Sequence, residues 1–527
     1  MVGFPLDMTR SKTTNRRQFL STAAATAVMM PASLSKGFAV FSHSRFLAET
    51  PAARGAAASV VPEGAIEFES SDDKLADGFR WAKAQALAYA RNDGSIGPWY
   101  EAALPGRDAF CMRDVSHQST GAQFLGLGSR TLNMLRRFAA NISASKKWCT
   151  WWEITHDNLP AAIDYNNDHD FWYDLPASFD VLDACYRQWL WTRDSNYLDE
   201  VFLDYYRHTV TDYVQAWDHD RDGLLEHLPN FGHMGIATYD EDLQDEILVG
   251  SDLIAAQYAA FRDYAAIERT RNESTVAAEF DRKADGLQSL YNSRWWDAGR
   301  NRYFDALGES GKFTEGLKES TGRSTIEFPL YYGLTEKGFK TVAVLDELEK
   351  RLKLDEDAIH GVVGGVEGRS YLPDIFYKYG RSRAGYRALT AMMDPGLKRR
   401  EYPEVSYTVI GNLGAGLMGI RPLDREQTVE TFPQLTDETG WAALHHVPVG
   451  RNVISVKHVK NNETSLTNEN GPALAWCAAF PGKFRALFSS GKEIPATITL
   501  RREGDAETYS TVQVARGETR VARVVPG

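Results

Sequence analysis

Carboxylates, aromatic rings and arginines crowd into a few short stretches of this chain. The densest is residues 148–180, WCTWWEITHDNLPAAIDYNNDHDFWYDLPASFD. Trp151, Trp152, Trp172 and Tyr173 supply ring faces on which the apolar C–H face of a sugar can lie. Glu153, Asp157, Asp164, Asp168 and Asp170 supply acceptors for its hydroxyls. In residues 108–127, DAFCMRDVSHQSTGAQFLGL, the pair Arg113-Asp114 stands just before a helix with a small, apolar face and can hold two sugar hydroxyls, one by each charge. Residues 399–420, RREYPEVSYTVIGNLGAGLMGI, place Arg400, Glu401 and Glu404 ahead of a small-residue helix. Pro403 makes the approach extended, and Glu404 falls at the helix start. Acid–base hydrolysis needs one carboxyl kept protonated and another kept ionised to activate water. Glu404 is the first choice for that base, with Glu401 in reserve.

Other loops carry weaker signals. Residues 231–252, FGHMGIATYDEDLQDEILVGSD, contain the run Asp240, Glu241, Asp242, a composition that also suits a solvated helix start. Asp218, Asp220, Asp222 and Gly223 have the spacing that opens a calcium loop, but the twelfth position is Pro229, which offers no carboxylate. A tight Asp-Gly turn is the better reading, and no metal is assigned. Glu226 and His227 follow that turn and are kept as substrate contacts. Arg323 and Glu327 in one loop, and His360, Glu367, Arg369 and Tyr371 in another, occupy comparable positions. The glycines of the latter loop match no phosphate-binding pattern, and no cofactor is expected.

The elements that must position these groups are helices. From Asp72 to about Met418 the pattern is amphipathic, in segments of roughly 12 to 20 residues separated by Gly, Pro, Asn and Asp clusters. Residues 179–191 and 198–217 form one pair around a short polar turn, and residues 251–269 and 276–295 a second of the same design about 70 residues on. Helical hairpins repeated with long loops at one end predict a mainly α protein, an (α/α)6 barrel whose inner helices close a toroid and whose loops build a funnel. After Met418 the segments turn short, alternating and rich in Val and Thr. They predict a small antiparallel β-sandwich. The expected division is 1–61 leader, 62–440 barrel and 441–527 sandwich.

Arg16-Arg17, followed by Phe19-Leu20 and an apolar, Ala-rich run, reads as a twin-arginine export signal, so the mature protein is expected in the periplasm or outside the cell. No later run is long enough to span a bilayer. A net charge of −12 disfavours nucleic acid as a partner. The cysteines, Cys111, Cys149, Cys185 and Cys477, lack metal or redox spacing and read as structural thiols or at most one disulfide.

Met112-Arg113-Asp114 followed by a helix, the paired helices, the DxDxDGL turn and the Glu-rich final hairpin together resemble the six-hairpin glycosidases, a group that includes glucoamylases, trehalases, α-L-rhamnosidases and unsaturated uronyl hydrolases. The resemblance covers about Ile66 to Met418 as architecture. It implies that Arg113 and Asp114 bind the sugar before the cleaved bond. It also implies an acid from a middle loop, Asp240 or Glu153, and a base from the last hairpin, Glu404. Trp152, His156, Asp170, Trp172, His227, Arg369, His117 and Glu401 complete the expected substrate contacts. The leading expectation is an exported glycoside hydrolase acting on an oligosaccharide or polysaccharide, by an inverting mechanism. The alternatives are a polysaccharide lyase recruiting His117, His156, His227, His233, Tyr165 and Arg113, or a non-catalytic glycan-binding protein.

Overall fold

The computed structural model describes residues 61–227, 234–239, 247–314, 326–357, 366–489, 491–500 and 505–524. The helices, numbered along the chain, are α1 (Asp73–Ala88), α2 (Met112–Phe124), α3 (Gly128–Ala140), α4 (Leu175–Thr192), α5 (Glu200–His208), α6 (Ser251–Thr270), α7 (Ser274–Arg294), α8 (Glu327–Tyr331), α9 (Phe339–Asp357), α10 (Val366–Ser370), α11 (Leu372–Lys378), α12 (Ser382–Met393) and α13 (Pro403–Gly411). α5 runs on through a wide π turn, Thr209–Tyr213, into Val214–Trp217, and α13 through a second π turn, Asn412–Leu417.

Six of these helices close a ring. α2 packs on α4, α4 on α6, α6 on α8, α8 on α11, and α13 returns to α2, while its π turn meets α11. The remaining long helices lie outside as hairpin partners, α3 behind α2, α7 behind α6, α12 behind α11 and α1 behind α13. Burial divides in the same way. Eleven residues of α2 are buried, including the polar Asp114, Ser116, His117, Gln118, Ser119 and Gln123, whereas α3 buries one face. Inner helices need small residues to approach one another. A Cβ on Gly121 would come within 2.1 Å of the Tyr407 carbonyl oxygen, so α2 and α13 touch backbone to backbone there.

Chain direction sets the two ends of the toroid. Five of the six inner helices are joined to the following outer helix by a short connector, α13 being covered instead by α1 from the start of the fold, and each outer helix leads to the next inner helix through a longer loop. The long loops therefore gather at the N-terminal ends of the inner helices. Several are stiffened by small strands. Ala109–Cys111 pairs with Glu153–Thr155, Asp170–Asp174 with Met234–Ile236, and Ile247–Gly250 with Ala306–Gly308. The Asp174 side chain caps α4 by accepting from the Ala177 amide, with Pro176 in the first turn where its missing N–H costs nothing.

The C-terminal region is two packed sheets. A seven-stranded sheet includes Trp441–Val449, Asn452–Val459, Glu463–Asn470 and Thr519–Val524, and Glu67–Ser70 from the other end of the chain pairs antiparallel with Trp441–Val449. The five-stranded sheet contains Leu474–Pro481 and Ala506–Val514, and its strand Thr428–Thr431 runs parallel to Leu474–Pro481. Trp476 of the five-stranded sheet is fully buried, its indole N–H donating to Thr431 Oγ1 on the adjacent strand at 2.8 Å. All four cysteines are buried and unpaired. No helix among the described residues is long and apolar enough to cross a membrane.

Candidate active site

The funnel end of the toroid holds buried carboxyl groups in numbers that packing alone would penalise. Helix α2 starts at Met112, so Arg113 and Asp114 lie in its first turn rather than just before it, and His117 follows one turn further in. Asp114 is 1% exposed. Its Oδ2 accepts from Tyr402 Oη at 2.5 Å, and its Oδ1 has no hydrogen-bond partner among the described residues. Burial raises its pKa, helped by the charge of Glu404 and opposed by Arg113.

Glu404 enters from the first turn of α13, with Pro403 beside it. It is 1% exposed. Its Oε1 lies 2.5 Å from His117 Nδ1, and its Oε2 is buried without a partner among the described residues. The other ring nitrogen of His117 faces Asp374 Oδ2 at 3.2 Å, and the Tyr371 ring stacks on the imidazole at 3.8 Å and 7°. Burial works against the imidazolium, but hydrogen bonds and charge from Asp374 and Glu404 outweigh it and raise the His117 pKa to about 9.

Glu153 arrives on the strand Glu153–Thr155, opposite Cys111. Its side chain is buried, with Oε2 at 3.1 Å from Arg107 Nη1 and Oε1 unpartnered among the described residues. Burial raises its pKa; Arg107 opposes this, and a hydrogen bond with Asp164, the charge of Asp164 and that of Asp114 add to it. Asp114 thus feels both other carboxyls. On the neighbouring wall Asp180 of α4 accepts from the hydroxyls of Tyr239 and Tyr332, and burial holds its pKa at about 7. Glu327, the first residue of α8, is pushed up to about 8 by burial.

Aromatic rings complete the enclosure. The Arg113 guanidinium sits over Trp152 at 5.8 Å and over Tyr239 at 5.3 Å. Trp152 meets Trp172 edge to face at 6.5 Å. Ring faces and unpartnered carboxylate oxygens set together are the groups that bind a polyhydroxylated ring. A carboxyl kept protonated by burial can give a proton, and one gripped by an imidazole can receive one.

Of the residues singled out from sequence, Arg113, Asp114, His117, Trp152, Glu153, Trp172 and Glu404 come together here. His227 is buried close by, its ring 6.0 Å from that of Tyr173. Arg369 lies on α10 next to Ser370, whose Oγ is 3.5 Å from His117 Nδ1. Others serve the frame. His156 stacks on Trp99 and bonds the Asp108 carbonyl, and Asp170 accepts from Asn166 Nδ2 at 2.8 Å. Glu401 is exposed, and its carbonyl accepts from the Tyr89 hydroxyl. Asp218, Asp220 and Asp222 have carboxylate oxygens within 4.8 Å of one another. Both Asp218 oxygens are taken by the Asp222 and Gly223 amides, as an Asp-Gly turn requires. Asp240, His233, Arg323 and His360 lie outside the described residues. Tyr402, Tyr239, Asp180, Arg107 and Asp374 were not anticipated.

No family model matches the sequence, and no curated protein does. Solved structures do match in shape. An α-L-rhamnosidase from Dictyoglumus thermophilum aligns with 88% of this chain and 51% of its own, at a TM-score of 0.57 and 14% identity. A Streptomyces avermitilis α-L-rhamnosidase complexed with L-rhamnose aligns with 87% of this chain and 42% of its own, at 0.53 and 14%. A putative kojibiose phosphorylase from the human microbiome aligns with 86% and 68%, at 0.53 and 9%. The fold is the six-hairpin toroid. The (α/α)6 expectation therefore holds, and this six-hairpin toroid spans about half or less of the two rhamnosidases it resembles.

Proposed function

We propose that this six-hairpin toroid is a glycoside hydrolase that cleaves an O-glycosidic bond with two carboxyl groups. The observation that carries the reading is the convergence of Asp114, Glu153 and Glu404, each buried and each with an oxygen that no described residue satisfies. Such oxygens are costly unless a ligand supplies donors. Glu153, kept protonated by burial, is the acid that protonates the leaving oxygen. Glu404, fixed at one oxygen by His117, presents the other as the base that activates water. Arg113 and Asp114 bind sugar hydroxyls between them, with Tyr402 orienting Asp114. Trp152, Trp172 and Tyr239 carry the apolar ring face. Asp240 remains the alternative acid.

The resemblance to the six-hairpin glycosidases makes inversion of the anomeric centre the outcome to test. The Arg16-Arg17 segment supports export. The two α-L-rhamnosidases among the structures of similar shape make an α-L-rhamnoside the first substrate to try. The test is turnover by purified protein on a panel of aryl α-L-rhamnosides, α-D-mannosides, β-D-glucosides and uronides, with the product anomer followed by NMR. Release of the aglycone with inverted sugar is expected. An unsaturated, ultraviolet-absorbing product would instead identify a lyase, and binding without turnover a glycan-binding protein.

A further inference from the structure

His117 is held on every side by groups that favour its charged form. An ionised carboxylate can only accept hydrogen bonds. Both ring nitrogens face carboxylates, Nδ1 towards Glu404 Oε1 at 2.5 Å and Nε2 towards Asp374 Oδ2 at 3.2 Å. If both acids are ionised, both nitrogens must donate, and the ring is an imidazolium. Its flat face lies on the Tyr371 ring, and the edge of Tyr331 approaches at 5.9 Å. A cation is favoured over such a face. Asp374 is itself fixed, since Asn412 Nδ2 donates to the same oxygen at 2.9 Å. The groups facing the ring are thus Asp374 and Tyr371 from α11 and its start, Glu404 from α13, Tyr331 from α8 and Ser370 from α10.

We infer that Asp374 and His117 form, with Glu404, a carboxylate–imidazolium–carboxylate string in which Asp374 is a positioning residue: it keeps His117 charged and locked, so that Glu404 is fixed with Oε2 bare toward the sugar site. The inference rests on the hydrolase reading for its catalytic consequence, but not for the string itself. The partial exposure of Asp374, 28% of its side chain, distinguishes the two ends. One carboxylate of the string is open enough to stay hydrated, and the other is sealed against the ring. The sealed His117–Glu404 pair is thus charge-balanced, and the second carboxylate, that of Asp374, sits where water can hydrate it.

The experiment uses the full chain in which histidine rings are 13C-labelled, the His117 resonance being assigned by its loss in His117→Gln. In the wild type the ring is expected to titrate near pH 9, above the ordinary histidine range of about 6.5. Asp374→Asn keeps an acceptor for both donors and removes the charge. It should lower the titration midpoint by at least about one pH unit. It should also lower kcat by roughly 10- to 100-fold with KM within about threefold, because positioning of the base acts in the transition state. Asp374→Glu should recover part of both. A purely structural role would shift the melting temperature of Asp374→Asn and leave the ring titration in place. A His117 ring that is neutral at pH 7 in the wild type, with its proton residing on Glu404, overturns the inference. So does an Asp374→Asn protein with unchanged titration and kcat. If the wild type turns over no glycoside yet the titration still falls in Asp374→Asn, the hydrolase reading fails and the string stands.

Discussion

Two buried histidines show how differently the barrel mouth and the sandwich treat a polar group. In the sandwich, His458 places Nε2 3.0 Å from the Met418 carbonyl, to which it donates, and Nδ1 2.8 Å from Thr464 Oγ1, from which it accepts. Every hydrogen-bonding need of a neutral ring is met, and burial lowers its pKa to about 4. At the mouth, His117 has carboxylates at both nitrogens and is raised to about 9. The sandwich histidine is satisfied at both nitrogens by neutral partners. The mouth leaves oxygens of Asp114, Glu153 and Glu404 open. Unsatisfied groups of that kind in a folded core are a cost that stability alone would not select, which is why they mark the site.

That contrast can be broken most severely at the mouth's chemistry. Glu404→Gln and Glu153→Gln should each lower kcat by roughly 10²- to 10⁴-fold while the far-ultraviolet circular dichroism stays close to wild type, and Glu404→Gln should also lower the melting temperature because it leaves His117 without its buried partner. Retained activity in both would remove the carboxyls from the mechanism. Next in size is the sandwich. Trp476→Ala opens a cavity and strips Thr431 of its donor, and should cost about 3–5 kcal/mol in denaturant unfolding. Activity per folded molecule at saturating substrate should be unaffected.

The pH dependence separates the two histidines by sign. For His458 the folded pKa, about 4, lies below the unfolded value of about 6.5, so the unfolded chain binds the extra proton and stability falls as pH drops from 6.5 toward 4. For His117 the folded value, about 9, lies above it, so its contribution is complete below pH 6.5 and is lost as pH rises through 9. Urea unfolding of His458→Gln should be flatter than wild type on the acid side only, and that of His117→Gln on the alkaline side only. The smallest effect expected is Asp114→Asn. It removes a carboxyl that burial and Glu404 disfavour in its charged form, and should raise stability by about 1 kcal/mol while weakening turnover. A stability loss there would mean that Tyr402 needs the charge.

Much of the helical frame was legible because its period is local. Residues 251–269 were expected to be helical, and α6 is Ser251–Thr270; residues 179–191, expected as its counterpart in the preceding pair, lie within α4, which starts four residues earlier at Leu175. Glu404 at a helix start was legible from Pro403 alone. The π turns within α5 and after α13 were not, because a one-residue widening leaves the amphipathic period almost intact. Nor was the pairing of Glu67–Ser70 with Trp441–Val449, since strand partners distant in sequence leave no local trace. At the site, residues in the first turns of inner helices could be read, but their partners could not. Asp374 looks from sequence like an ordinary acid in a helix first turn, and Tyr402 like an apolar residue before Pro403. Only closure of the ring brings α11 and α13 against α2 and gives each a function.

The strand Glu67–Ser70 has a consequence for how the molecule is made. Ser70 Oγ bonds the Trp441 carbonyl 371 residues away, and Asp72, which caps α1, also receives the hydroxyls of Tyr386 and Thr439. A ribosome finishes α1 long before any of those partners exist. The N-terminal strand must wait, its edge unpaired, until the sheet that receives it has been synthesised. Contacts of such long sequence separation form slowly. Helix α1 therefore locks late, with the strand as the clasp that joins the toroid to the sandwich.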